Sequence, residues 1–147
     1  MITLNFSILI NAPKEKVWEV LWDDKTYREW TSVFMEGSYA VSDWQQGSSV
    51  LFLSPSGEGM FSTISKKVPA ELMSFKHLGI VKDGQEQPMD EKTKEWSGAM
   101  ENYILKEING VTELSVIVDI TENHEQYFSD TFPKALEKVK SLCENQS

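Results

Sequence analysis

The chain has 147 residues, 40% of them hydrophobic and 25% charged, which suits one domain, expected at 1–147, with a single core. Its net charge of -9, from 23 acidic and 14 basic residues, argues against nucleic-acid binding, which needs clustered Lys and Arg, and against anionic membranes. Cys143 is the single cysteine, and no leader-like or membrane-length apolar run is present. The expectation is therefore a cytoplasmic chain with no intramolecular disulfide and no membrane insertion.

The first element is a strand over about residues 2–10, with Leu4, Phe6, Ile8 and Ile10 on one face. Asn11-Ala12-Pro13 turns it into a helix, because proline suits a first helical turn whose N–H groups lack partners. Val17, Val20 and Leu21 follow at helical spacing, flanked by Trp18 and Trp22. Asp23-Asp24-Lys25 breaks that helix, and a second short one carries Tyr27 and Trp30. From Gly37 the pattern becomes β-type, with strands expected at 38–43, 48–54, 60–68 and 71–81 separated by turn signals such as Ser54–Gly59. Residues 82–95 are polar and long enough to be an insertion, either a solvated surface loop or a lid. Strands expected at 96–108 and 111–121 pair across Asn109-Gly110, a preferred tight-turn dipeptide. A closing helix over about 125–144 carries the stripe Phe128, Phe132, Leu136, Val139 and Cys143. One strand, two short helices, six antiparallel strands and a long helix make a two-layer α+β domain. A sheet curled around one helix leaves a space between them.

Several stretches carry a family resemblance: Ala12-Pro13-x-x-x-Val17-Trp18-x-x-Leu21, Trp30 about a dozen positions on, and Gly47 ahead of a strand. Ile64 before Pro69, Gly110-x-Thr112-x-Leu114 and Phe132-x-x-x-Leu136-x-x-x-Lys140 complete the set. In this order, over essentially the whole chain, they resemble the START-like (SRPBCC) superfamily, the helix-grip fold of birch-pollen-type allergens and polyketide cyclases. Within it, the chain is similar to the group named after the activator of the heat-shock-protein-90 ATPase. The resemblance implies a curved antiparallel sheet wrapped around a long C-terminal helix, with a hydrophobic cavity between them for a small lipidic or aromatic ligand. It does not fix an activity, since function resides in sites rather than folds.

The candidate site residues follow from strand alternation. His77 shares a face with Phe75, and Glu101 and Tyr103 run in phase with Leu105 on the next long strand. An inward Glu needs a partner, so Glu101 is expected to meet His77 or Tyr103. His77 reads either as a half-buried histidine satisfied by a neighbour or as a polar anchor or acid–base group. Trp30, Phe34, Trp44, Phe52, Phe61, Phe75, Trp96, Phe128 and Phe132 are the pool of lining aromatics. Each reads as core packing before it reads as ligand contact, with Trp30 and Phe34 expected near the cavity mouth. Cys143 reads as a small core hydrophobe and His124 as a residue near the start of the last helix.

No metal-ligand spacing, Gly-rich phosphate loop, nucleophile elbow or paired-cysteine motif occurs, and neither a metal nor a cofactor is expected. Three functions remain. The first is binding of a small hydrophobic or aromatic molecule without chemistry. The second is a cyclase- or hydratase-type enzyme using His77, Glu101 and Tyr103 on a carbonyl-rich substrate. The third, ranked last, is a cochaperone-like interaction domain with a chaperone partner. A homodimer is left open.

Overall fold

The computed structural model describes residues 1–145; residues 146–147, the end of the expected domain, lie outside the described residues. Strand β1 (Ile2–Ile10) alternates as expected, with Thr3, Asn5, Ser7 and Leu9 exposed and Ile10 buried. Pro13 stands extended ahead of α1 (Lys14–Trp22), which buries Val17, Val20, Leu21 and Trp22. The break expected over Asp23-Asp24-Lys25 is a single extended residue, Asp23, after which α2 (Asp24–Thr31) begins at once and buries Tyr27 and Trp30. The Trp30 indole N–H donates to the Leu21 carbonyl at 3.1 Å and ties the two helices together.

The remaining elements are β2 (Tyr39–Val41), β3 (Ser49–Leu53), β4 (Gly59–Val68), β5 (Leu72–Lys82), β6 (Gln85–Glu86), α3 (Glu91–Lys94), β7 (Met100–Ile108), β8 (Val111–Ile120) and α4 (Glu125–Asn145). The strands form one antiparallel sheet in the order β1-β8-β7-β5-β4-β3-β2, with β6 added beside β5. Helix α4 packs on β1, α1 and α2 and buries Phe132, Leu136, Val139 and Cys143 from the expected stripe, with Thr131 and Ala135 beside them. Its Phe132 ring stacks on Phe6 of β1 at 5.0 Å. This is the expected α+β arrangement of a curved sheet around a long C-terminal helix.

Three segments differ from the sequence pattern, each for a local reason. The strand expected at 38–43 shortens to β2, because the Ser42 hydroxyl donates to the Ser49 carbonyl and Asp43 accepts from the Gln45 N–H. Such side-chain bonds compete with a strand ladder. The insertion 82–95 is not a bare loop: Asp83 and Gly84 turn at positive φ into β6. Asp90 then caps α3 through the Thr93 N–H at 2.7 Å. Residues 96–99 continue as turns rather than strand, with Gly98 at φ 94°, so β7 starts only at Met100. The Asn109-Gly110 hairpin is as expected, both residues at positive φ (53° and 82°), the geometry of a type I′ turn.

Two features of the sheet bear on the site. β1 is an edge strand, and α4 covers its far end: Lys140 donates to the Leu9 carbonyl at 3.2 Å and Glu144 accepts the Asn11 N–H at 2.7 Å. This satisfies backbone groups that would otherwise invite another strand. The β4–β5 ladder also shifts register twice. Phe61 faces Gly79 but Ser62 faces His77, passing over Leu78, and Ile64 faces Phe75 while Lys66 faces Ser74. The first shift brings Ser62 opposite His77.

Candidate functional site

The inward positions of β5 and β7 meet across their ladder, where Phe75 pairs with Glu101 and Met73 with Tyr103. They front a cavity of about 770 Å³ between the sheet and α4, walled by apolar side chains such as Phe52, Phe75, Val118, Phe128 and Phe132. The size and the ratio of many apolar groups to few polar ones suit a small organic molecule.

The polar groups on the floor form one hydrogen-bonded chain. Ser62 Oγ lies 2.6 Å from His77 Nδ1, His77 Nε2 lies 2.9 Å from Glu101 Oε1, and the Tyr103 hydroxyl donates to Glu101 Oε2. Ser62 and Glu101 thus hold the His77 ring between them, one at each ring nitrogen. Burial pushes the Glu101 carboxyl up, but hydrogen bonds from His77 and Tyr103 and the charge of His77 hold it below the ordinary glutamate range. Burial, the Glu101 charge and the bond to Glu101 raise the Tyr103 phenol well above its usual value. Burial and the same charge also raise Tyr27 far above the ordinary phenol range.

The structure thus brings His77, Glu101 and Tyr103 into direct contact. Both partners considered for Glu101 in the sequence engage it, one on each oxygen. Ser62 was not anticipated, although Ser62 and Ile64 share a buried strand face; the register shift that pairs Ser62 with His77 left no mark in the pattern. Ser62 is only 1% exposed and is not among the groups lining the cavity. The Ser62 hydroxyl is therefore not presented to a bound molecule.

The aromatic candidates separate by place. Phe52, Phe75, Trp96, Phe128 and Phe132 line the cavity, as do Trp30 and Phe34. Trp30 is almost wholly buried at 2% exposure and belongs to the inner wall rather than the mouth. Phe34 packs against Phe132 at 4.9 Å, and its carbonyl accepts the Tyr127 hydroxyl at 2.9 Å. Trp44 does not line this cavity: it lines a smaller hollow of about 290 Å³ with Trp22, Tyr27 and Val41, held at φ 61°. Phe61 lies over Gly79, whose missing Cβ leaves space for its ring, and it too is off the cavity wall. Trp22 and Tyr27 are among the lining residues that went unrecognised in the sequence, and the Trp22 indole N–H is buried with no hydrogen-bond partner among the described residues. In sequence they are only members of helical apolar stripes.

No family model matches the chain, and no curated protein matches it in sequence. Solved structures do match in shape. A protein from Mesorhizobium loti superposes with a TM-score of 0.74 at 15% identity, covering 99% of both chains. The Aha1 dimer from Colwellia psychrerythraea superposes with a TM-score of 0.71 at 18% identity over 100% of each chain. CalU16 from Micromonospora echinospora gives 0.66 at 14% identity, covering 96% of this chain and 75% of that one. The shared architecture is the helix-grip fold. At these identities the likeness fixes the helix-grip architecture and leaves the chemistry to the site itself. Among the described residues no helix is long and apolar enough to cross a membrane, and no group of three or more His, Cys, Asp or Glu is placed to hold a metal ion.

Proposed function

We propose that this helix-grip chain acts as a single binding domain for a small hydrophobic or aromatic molecule, held between the sheet and α4 with His77, Glu101 and Tyr103 as its polar anchor. The observation that carries this reading is the cavity of about 770 Å³, its exposed lining mostly apolar, with the His77–Glu101–Tyr103 cluster on its floor. Trp30, Phe34, Phe52, Phe75, Phe128 and Phe132 are its proposed lining contacts. A thermal-shift screen against lipids, sterols and polycyclic aromatics tests it. A ligand that binds only the folded state raises the melting temperature by mass action, by about 2.7 kcal/mol of stability at a hundredfold excess over Kd. Stabilisation by at least one class is expected; no shift across the panel removes the reading.

An acid–base enzyme of the cyclase or hydratase type is the second reading, favoured by the convergence of His77, Glu101 and Tyr103 within hydrogen-bond reach. Against it, the carboxyl is held low and the phenol high. General acid–base groups work best with pKa values near the operating pH. A locked pair of this kind orients a ligand better than it exchanges protons, so binding is preferred. The Colwellia protein is described as a dimer, which supports including a homodimer in the proposal. Light scattering on the purified chain tests that directly. A cytoplasmic location remains part of the same reading.

A further inference from the structure

We infer that the cavity floor is built for a neutral molecule presenting a carbonyl-type hydrogen-bond acceptor at its buried end, and that it discriminates against carboxylates. The inference rests on the ligand-binding reading above and deepens it. Its basis is a count of donors and acceptors around Glu101. The two carboxylate oxygens are engaged, one by His77 and one by Tyr103, and His77 Nδ1 is engaged by Ser62.

What stands unused on the same wall is a donor. The Trp22 indole N–H, buried without a partner among the described residues, has no surface open to the cavity. Tyr27 does line it; among those residues no hydrogen bond holds its hydroxyl, and its proton is held tightly by burial and by the Glu101 charge. A buried donor without an acceptor is costly, so an incoming acceptor gains more here than it would on an ordinary apolar wall. A carboxylate would offer acceptors too, but it would bring a second negative charge beside Glu101, and neighbouring like charges repel.

An organic cation fits less well. The rings around Glu101 stand edge-on to one another, Trp22 at 5.0 Å from Tyr103 and 5.3 Å from Phe75. They fill the space that an aromatic cage leaves open for a cation. A cation would also leave the Tyr27 hydroxyl unpaired, since it has no acceptor to offer it.

The test is calorimetric titration of the purified chain with three naphthalenes that differ at one ring position, bearing acetyl, isopropyl or carboxylate. The acetyl compound is expected to bind about tenfold more tightly than its isopropyl isostere, and the carboxylate most weakly. Tyr27→Phe, which removes one donor and keeps the ring, should narrow the acetyl-over-isopropyl ratio. Glu101→Gln should raise carboxylate affinity toward that of the ketone. Equal binding of the acetyl and isopropyl compounds, or tightest binding of the carboxylate, overturns the inference and leaves the ligand-binding reading standing. Binding of none of the three, with no shift in the thermal screen, removes both. The wild-type ranking decides the question even if a variant fails to fold.

Discussion

Glu101 is the residue on which the floor depends, because one carboxylate satisfies both His77 and Tyr103. Its pKa is held below the ordinary value of 4.5 in the folded state. The unfolded chain therefore binds the proton more readily, and the stabilisation is present in full above about pH 4.5 and lost as pH falls through the lower folded value. Glu101→Gln is expected to cost about 1–3 kcal/mol near neutral pH. The difference from wild type should shrink in acid, where the glutamic acid becomes neutral like the amide. Urea denaturation at neutral pH and near pH 3 checks this; a gap that does not change with pH contradicts it. Ser62→Ala should cost about 1 kcal/mol and change the His77 ring nitrogen NMR shifts. Unchanged shifts would mean that Ser62 does not position the ring. At this scale the sequence was partly legible. Alternation along the strands is enough to aim His77, Glu101 and Tyr103 at one space. Nothing in it shows that Trp22 keeps an unpaired N–H, because that depends on which rings surround the indole.

Among the elements, the β4–β5 ladder decides the site. Its two register shifts move Ser62 opposite His77, and such bulges re-aim side chains beside functional sites. Away from the cavity wall, Phe61 occupies the space over Gly79, where an added Cβ would lie 2.4 Å from the ring. Gly79→Ala should therefore destabilise the fold by about 1–3 kcal/mol through overpacking, and Phe61→Leu in the same chain should recover part of the loss. A double-mutant cycle measures this coupling; strictly additive losses would contradict it. The strands, the I′ hairpin and the gripping helix were readable because each rests on local periodicity or on a dipeptide with one favoured turn. The short strand β2 and the turns at 96–99 were not, because side-chain bonds and a positive-φ glycine override the β-type pattern there, and helix α3 was not, because the Asp90 cap starts it inside a polar run that reads as loop.

At the scale of the whole molecule, the proposed binding role makes the cavity a working part of the fold rather than a packing defect. Ala99 sits on its wall at 3% exposure, so Ala99→Leu should fill space instead of disrupting the core. Stability should change by less than about 1.5 kcal/mol, while affinity for the best ligand of the thermal screen falls at least about tenfold. Retained affinity would place the bound molecule elsewhere. The most direct measurement is native mass spectrometry of wild type and Ala99→Leu, each purified from its own host without denaturation. Wild type is expected to carry a neutral small molecule, released on unfolding, and the filled variant little or none. An apo mass alone for wild type, or equal loading of the two proteins, would contradict the proposed binding role.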